Sequence, residues 1–472
     1  MTWYERLSSL DALFLDLEDR TAHMHVGAVS VYEGRAPSYA DFVAWVASRL
    51  ERVPRYRQRL AFVPFGGGRP VWVDAADLDL EYHVRHTAVP PPGGEEPLKK
   101  LAGRLFSQRL DRGKPLWELW LIEGLGEGRF ATISKTHHCM IDGIAGVDLA
   151  TVLHDFSPHS GPPPGPPSWT PRPAPGRAEL LAASIRDQVA RPLELAREAL
   201  RPATEGRKML RELVGGLRPL LGISQMGLAP ESSLNQPIGP HRRWEMTSLD
   251  LGAVKRIRAA LGGTVNDVIL AAVAGALRTL LQGRGEAPGE DLRVFVPVSV
   301  RAPEARGTYG NQVAAVFCPL PVGEVDAVER LRKVSAATRG LKESRQAVGA
   351  LALTHLREFT PPTLAAQAAR LSTTTRWFNL VVTNVPGPQQ PMYLLGRKLL
   401  ACHPVVPLAR AQTIGIALLS YDGAIHVGLL GDGDRARDLP TLARALHDAV
   451  DELATRAAAA PPPAASSGAA RT

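Results

Sequence analysis

One stretch of this sequence cannot be built into any regular element: SPHSGPPPGPPSWTPRPAPG, Ser157 to Gly176. Proline fixes φ and lacks an amide donor, so such a run neither propagates a helix nor enters the middle of a sheet. It predicts an exposed connector. The 472-residue chain is also longer than one ordinary core supports, so two units are expected on length alone.

The stretch before the prolines, residues 1–156, alternates strand-like runs such as HVGAVSVYEG and RFATISKTHH with the helix-like YADFVAWVASRLERV. It reads as α/β. A second α/β unit is expected over 244–456, with TVNDVILAAVAGALRTLL as a helix and LRVFVPVSV, NQVAAVFCPLP and FNLVVTNVPGP as strands. TIGIALLSYDGAIHVGLLGD reads as a hairpin turning on Asp422-Gly423. Between the two lies a connecting segment over 157–243, helix-forming from Arg177 to Leu221 but divided by Pro192, Pro202 and Pro219. That helical part carries nine Arg or Lys against six Asp or Glu, a net +3, which suits either a surface helix or one lying on anionic lipid. The alanine- and proline-rich residues 457–472 are expected to be a disordered tail.

Lys and Arg exceed Asp and Glu by 55 − 47 = 8, a balance that favours anionic partners such as phosphorylated substrates or acidic lipid. Nucleic acid is disfavoured, because zinc-finger spacing, RNP-type aromatics and long basic blocks are all missing. Cys139, Cys318 and Cys402 are odd in number and far apart, which argues for a reducing, cytoplasmic location and against a disulfide or CxxC metal framework. The longest apolar run, Val268 to Leu277, is shorter than a bilayer needs. Peripheral attachment to a membrane or lipid-droplet surface stays open.

The chemistry concentrates in KTHHCMIDGIAGVDL, Lys135 to Leu149. Successive side chains of a strand point to opposite faces, so His137 and His138 are not expected to chelate one metal. Asp142-Gly143 is expected at the turn into a following helix, with Asp142 fixing local backbone geometry or meeting an arginine such as Arg301. Cys139 beside His138 invites a thiol nucleophile, but on a strand it faces the other way. A GxSxG elbow and phosphate-binding glycine loops do not occur.

HHCMIDG, preceded by PLWELWLIEGL, resembles the HHxxxDG region of the bacterial wax ester synthase/diacylglycerol acyltransferase family, a branch of the CoA-dependent acyltransferases. LSSLDALFLDLEDRTAHMHVGAVSVYEG, NDV at Asn266 to Val268, VPVSVR, YGNQVA, TNVPGP and SYDG follow in the family's order. The resemblance implies two chloramphenicol-acetyltransferase-like α/β lobes with a tunnel at their interface. It also implies transfer of an acyl group from acyl-CoA to diacylglycerol or a long-chain alcohol, with acyl-CoA as substrate and no cofactor or metal. His138 would be the base, supported by His137, Asp142, Gly143, Asn266 and Asp267. Thr264 and Asp267 also have the spacing of a capping box, so Asn266 is either an oxyanion donor or a first-turn residue. Another hydroxyl or amine acceptor, or an inactive lipid-surface protein, are the alternative readings.

Overall fold

The computed structural model describes residues 4–140, 152–159, 169–186, 227–299, 313–343 and 376–460. Its frame is two six-stranded sheets. The first has the order β12 (Tyr393–Leu394), β13 (Arg397–Val405), β2 (His25–Glu33), β7 (Arg129–His137), β6 (Trp117–Glu123), β5 (Val84–Ala88). The second has the order β10 (Val313–Leu320), β9 (Leu292–Ser299), β11 (Leu380–Pro386), β14 (Ile414–Tyr421), β15 (Ala424–Asp432), β8 (Arg242–Asp250). A third, three-stranded sheet joins β1 (Glu5–Arg6), β4 (Val71–Asp74) and β3 (Gln58–Ala61). It lends Leu60 and Trp72 to the core of the first lobe.

The expected helices form where their caps allow. Ser8 accepts from the amide of Asp11 at 3.0 Å to start α1 (Ser9–Leu17). Ser38 does the same for α2 (Tyr39–Arg49), and the short α3 (Leu80–His83) and α4 (Glu95–Phe106) complete the first lobe's described helices. In the second lobe α5 (Leu251–Leu261) precedes α6 (Val265–Gly283), which opens on the Thr264–Asp267 capping box. With α7 (Ala327–Glu343) and α8 (Leu439–Ala459) these helices cover the second sheet. By length and composition α6 could cross a membrane, but 72% of its apolar window is buried inside the protein. It is the central helix of the second core.

Three boundaries differ from the sequence reading. The segment 244–456 does not close on itself, because β12 and β13 leave it to extend the first sheet, with Ala401 opposite Val31 and Val405 opposite Gly27. An open β2 edge would expose a row of unpaired amides and carbonyls, and a distant strand fills it. Residues 169–186 are no free connector either. The Arg57 guanidinium lies over the Trp169 ring at 4.9 Å, the Arg172 amide donates to Asp74 at 3.0 Å, and Leu180, within helical residues 177–186, packs on Val71 and Val73. The last helix runs to Ala459, past the expected start of the tail; residues 461–472 lie outside the described residues.

The lobes share a core. Leu98, Leu101 and Leu105 of α4, Val29 and Ile133 of the first sheet, and Trp244, Met246 and Leu430 of the second pack together. The sheets approach closely at Gly428, where a Cβ would stand 1.9 Å from the Pro404 carbonyl oxygen of β13. The loop between α1 and β2 is tied across the joint as well, Arg410 pairing with Asp19 at 2.6 Å and Arg242 donating to the Thr21 carbonyl.

Candidate active site

β7 lies between β2 and β6, His25 facing His137 and Trp117 facing Thr136. The strand ends at His137, whose amide donates to the Leu116 carbonyl at 2.9 Å. His138 opens a 3-10 turn, His138–Met140, anchored by its amide donating to the Met24 carbonyl at 2.8 Å. The histidine pair therefore straddles a strand end, as its sequence suggests.

The two rings have separate surroundings. His138 stacks on Phe14 of α1, centroids 3.8 Å apart and planes 16° apart. It is half-buried; Nδ1 is enclosed without a hydrogen-bond partner, yet the residue keeps accessible surface. Burial pushes its pKa down to about 4, only partly opposed by its own main chain, with the neighbouring His137 adding to the fall. The ring is thus neutral at neutral pH.

His137 is fully enclosed. Its Nδ1 accepts from the Cys139 amide at 3.1 Å, so Nε2 carries the proton and faces Glu18 Oε2 at 3.6 Å. Burial lowers the pKa of His137 while Glu18 opposes it. The Glu18 carboxylate also receives Arg112 Nε at 2.8 Å and lies 3.5 Å from Arg109 and 3.8 Å from His25. Burial raises the Glu18 carboxyl, but His137 and Arg112 outweigh it and hold the pKa at about 2. A buried anion with two guanidinium groups and the His25 imidazole around it thus sits behind His137.

Phe14 and Glu18 escaped the sequence reading, although a signal existed. They stand four apart at the C-terminal end of α1, where Phe14 lies in the last turn and Glu18 is the extended cap residue whose amide donates to the Phe14 carbonyl. That helix end supplies both the ring that stacks on His138 and the carboxylate that meets His137.

The remaining candidates divide. Asp142, Gly143 and Arg301 fall outside the described residues. Asn266, half-buried in the first turn of α6, accepts from Asn384 Nδ2 of β11 at 3.2 Å, so two of the quoted motifs meet in space. Among the described residues no hydrogen bond joins this amide pair to His138. Asp267 is structural in its contacts: it accepts the Thr264 amide at 2.8 Å and the Thr338 hydroxyl at 2.7 Å. Cys139 is buried, and desolvation pushes its thiol well above 9. Trp117 is core, its indole donating to the Tyr56 carbonyl at 2.8 Å and stacking on His83. Lys255, Arg256 and Arg258 are exposed on α5.

Comparison with known proteins gives one answer. Residues 7–269 match the wax ester synthase/diacylglycerol acyltransferase catalytic domain, and residues 309–454 match the C-terminal domain of the same family. The probable diacylglycerol O-acyltransferase tgs1 of Mycobacterium tuberculosis is 36% identical over 460 residues, 95% of each chain. Its tgs2 counterpart is 34% identical, over 92% of this chain and 95% of that one. Among solved structures, the wax ester synthase/diacylglycerol acyltransferase from Marinobacter aquaeolei VT8 superposes with a TM-score of 0.67 at 29% identity, covering 96% of this chain and all of that one. The first condensation domain of the CDA synthetase, 20% identical with a TM-score of 0.56, shares the fold. With its catalytic and C-terminal regions both matched, the chain belongs to the wax ester synthase/diacylglycerol acyltransferase family.

Proposed function

We propose that this chain transfers a long-chain acyl group from acyl-CoA to the hydroxyl of diacylglycerol or of a long-chain alcohol, with His138 as the base. The observation that carries the reading is the neutral, half-buried imidazole of His138 at the strand end, in the position of the family's HHxxxDG motif. As the acceptor oxygen attacks the thioester carbonyl, the imidazole takes the hydroxyl proton. The C–S bond of the tetrahedral intermediate then breaks, and the proton returns to the leaving sulfur as free CoA thiol. No acyl-enzyme is required, and the buried, strongly protonated Cys139 is a poor nucleophile.

An oxyanion donor in this scheme is Asn266. Asn384 donates to its carbonyl oxygen, which leaves the Asn266 amide group as the donor the scheme calls on, an interaction worth about 3 kcal/mol in comparable sites. His137, with Glu18 behind it, holds the turn through the Cys139 amide. Three free cysteines suit the reducing, cytoplasmic location expected from the sequence.

The test uses purified protein with palmitoyl-CoA and either hexadecanol or diolein, following thiol and ester together. Wild-type protein should release thiol only with an acceptor and form one ester per thiol. His138→Ala should lose both, and Cys139→Ala should keep them. Acceptor-dependent thiol release by His138→Ala at near wild-type rate would overturn the base assignment.

A further inference from the structure

The acceptor lipids named above are insoluble in water, so the enzyme must collect them from a lipid phase. We infer that the β3–β4 hairpin tip, with the end of the neighbouring helical residues 177–186, is the surface that docks on anionic lipid; the inference rests on the lipid-acceptor reading. Phe65 at the tip is 94% exposed, the largest exposure of any apolar side chain described, and Phe62 and Ile185 add 48% and 54%. Scattered exposed apolar residues are ordinary, but an aromatic left wholly in water is not stabilised by the protein that carries it.

The backbone strengthens the point. Phe65 has φ of +59°, a region unfavourable for a bulky side chain. The protein holds a strained phenylalanine outward although its side chain is almost wholly exposed. Ser184 fixes the patch by donating to the Gly67 carbonyl at 2.5 Å, which sets Ile185 beside the tip. Leu181 reaches the same turn, 3.3 Å from where a Gly67 Cβ would be.

Charge complements the apolar tip. Ala61 to Pro70 contains one arginine and no acid, and the helical residues 177–186 carry Arg177 and Arg186 against Glu179. Arg69 lies at the base of the tip, Arg6 donates to the Arg69 carbonyl at 3.0 Å, and Arg186 is exposed next to Ile185. Aromatic insertion rimmed by arginines fits the boundary between acidic headgroups and acyl chains.

The tip is also mechanically close to the reacting imidazole. Arg69 donates to Ser9 Oγ at 2.7 Å and the Leu7 amide to the Pro70 carbonyl at 2.9 Å, so the hairpin joins the start of α1. Five residues along that helix Phe14 stacks on His138. Phe65 stands four residues before Arg69, and Phe14 five residues after Ser9, so a short length of chain joins the tip to the stacked ring. A lipid surface docked at the tip would therefore be linked through α1 to the ring that stacks on His138.

Flotation with vesicles of equal parts phosphatidylcholine and phosphatidylglycerol tests the inference, with phosphatidylcholine alone as the comparison. Wild-type protein should bind the mixed vesicles. Phe65→Ser should bind them roughly tenfold more weakly, with an unchanged thermal melt because the side chain is almost wholly exposed. Arg186→Glu should weaken binding to the mixed vesicles by about tenfold and leave the neutral ones unaffected. Phe65→Ser should lose ester formation on vesicle-borne diolein and keep it on detergent-dispersed hexadecanol. His138→Ala should float like wild type, which separates docking from catalysis. The inference is overturned by wild-type protein that does not float, by Phe65→Ser floating normally, or by equal activity loss on both acceptor forms. Sedimentation showing that Phe65→Ser splits a dimer would assign the patch to a second copy of the chain and overturn it too.

Discussion

Glu18→Gln is the most informative substitution behind the histidine pair, because its size follows from the structure. The Glu18 side chain is 1% exposed and its carboxyl is held at about 2 against an ordinary 4.5. A carboxyl depressed by folding contributes stability that is fully present above pH 4.5 and is lost as the pH falls through about 2. At roughly 1.36 kcal/mol per pH unit the difference amounts to about 3 kcal/mol at neutral pH. Glutamine keeps the shape and cannot hold the charge. Arg112 is 31% exposed, so water takes over part of its solvation and the loss stays near the low end of the roughly 3–5 kcal/mol seen when one buried partner is removed.

The assay is denaturant unfolding of wild type and variant, followed by near-ultraviolet circular dichroism at pH 7, 5 and 3. The gap between them should be about 3 kcal/mol at pH 7 and 5, and should shrink to about 1 kcal/mol at pH 3 as the wild-type carboxylate loses its advantage. A gap that is the same at pH 7 and pH 3, or under about 1 kcal/mol at pH 7, would refute the reasoning. Comparison against the variant cancels every other carboxylate.

Further outcomes follow from the same structure. Because burial holds His138 near pH 4, the acid limb of kcat/KM on a dispersed alcohol should fall near pH 4, and a limb between 6 and 7 would contradict the burial argument. Stability itself should decline as pH drops from 6.5, since His403 and His426, buried and held at about 3 and about 4, remain neutral while the unfolded chain takes up protons. Unfolding controls at each pH separate the two effects. Gly428→Ala places a methyl 1.9 Å from the Pro404 carbonyl oxygen and should cost at least about 3 kcal/mol by prying β13 from β15. Gly176→Ala, with nothing within 4 Å, should melt like wild type.

Local chemistry was legible in the sequence wherever it depends on near neighbours along the chain. The alternation of RFATISKTHH and the capping box of TVND produced β7 and α6 as expected, because strand facing and helix initiation are decided within a few residues. Asp422-Gly423 turned its hairpin for the same reason, φ being +43° and +84° there. The placement of the histidine pair at a strand end was likewise readable, whereas Cys139, expected on a strand, lies in the 3-10 turn and is buried.

What tertiary structure alone decided is which distant segments meet. No pattern in residues 393–405 says that they complete the first sheet rather than the second, since pairing partners are chosen by the edge left open and not by the strand itself. The proline-rich neighbourhood packs through Trp169, Arg172 and Leu180 because irregular backbone can still present side chains to a sheet. Burial decided the electrostatics: Glu18, 119 positions before His137 (137 − 18 = 119), reaches it only because α1 folds across the end of β7. The sequence by itself determined that a histidine pair stands at a strand end; the three-dimensional packing determined the protonation of His138 and the anion held behind its neighbour, because desolvation and Coulomb interactions depend on distance in space.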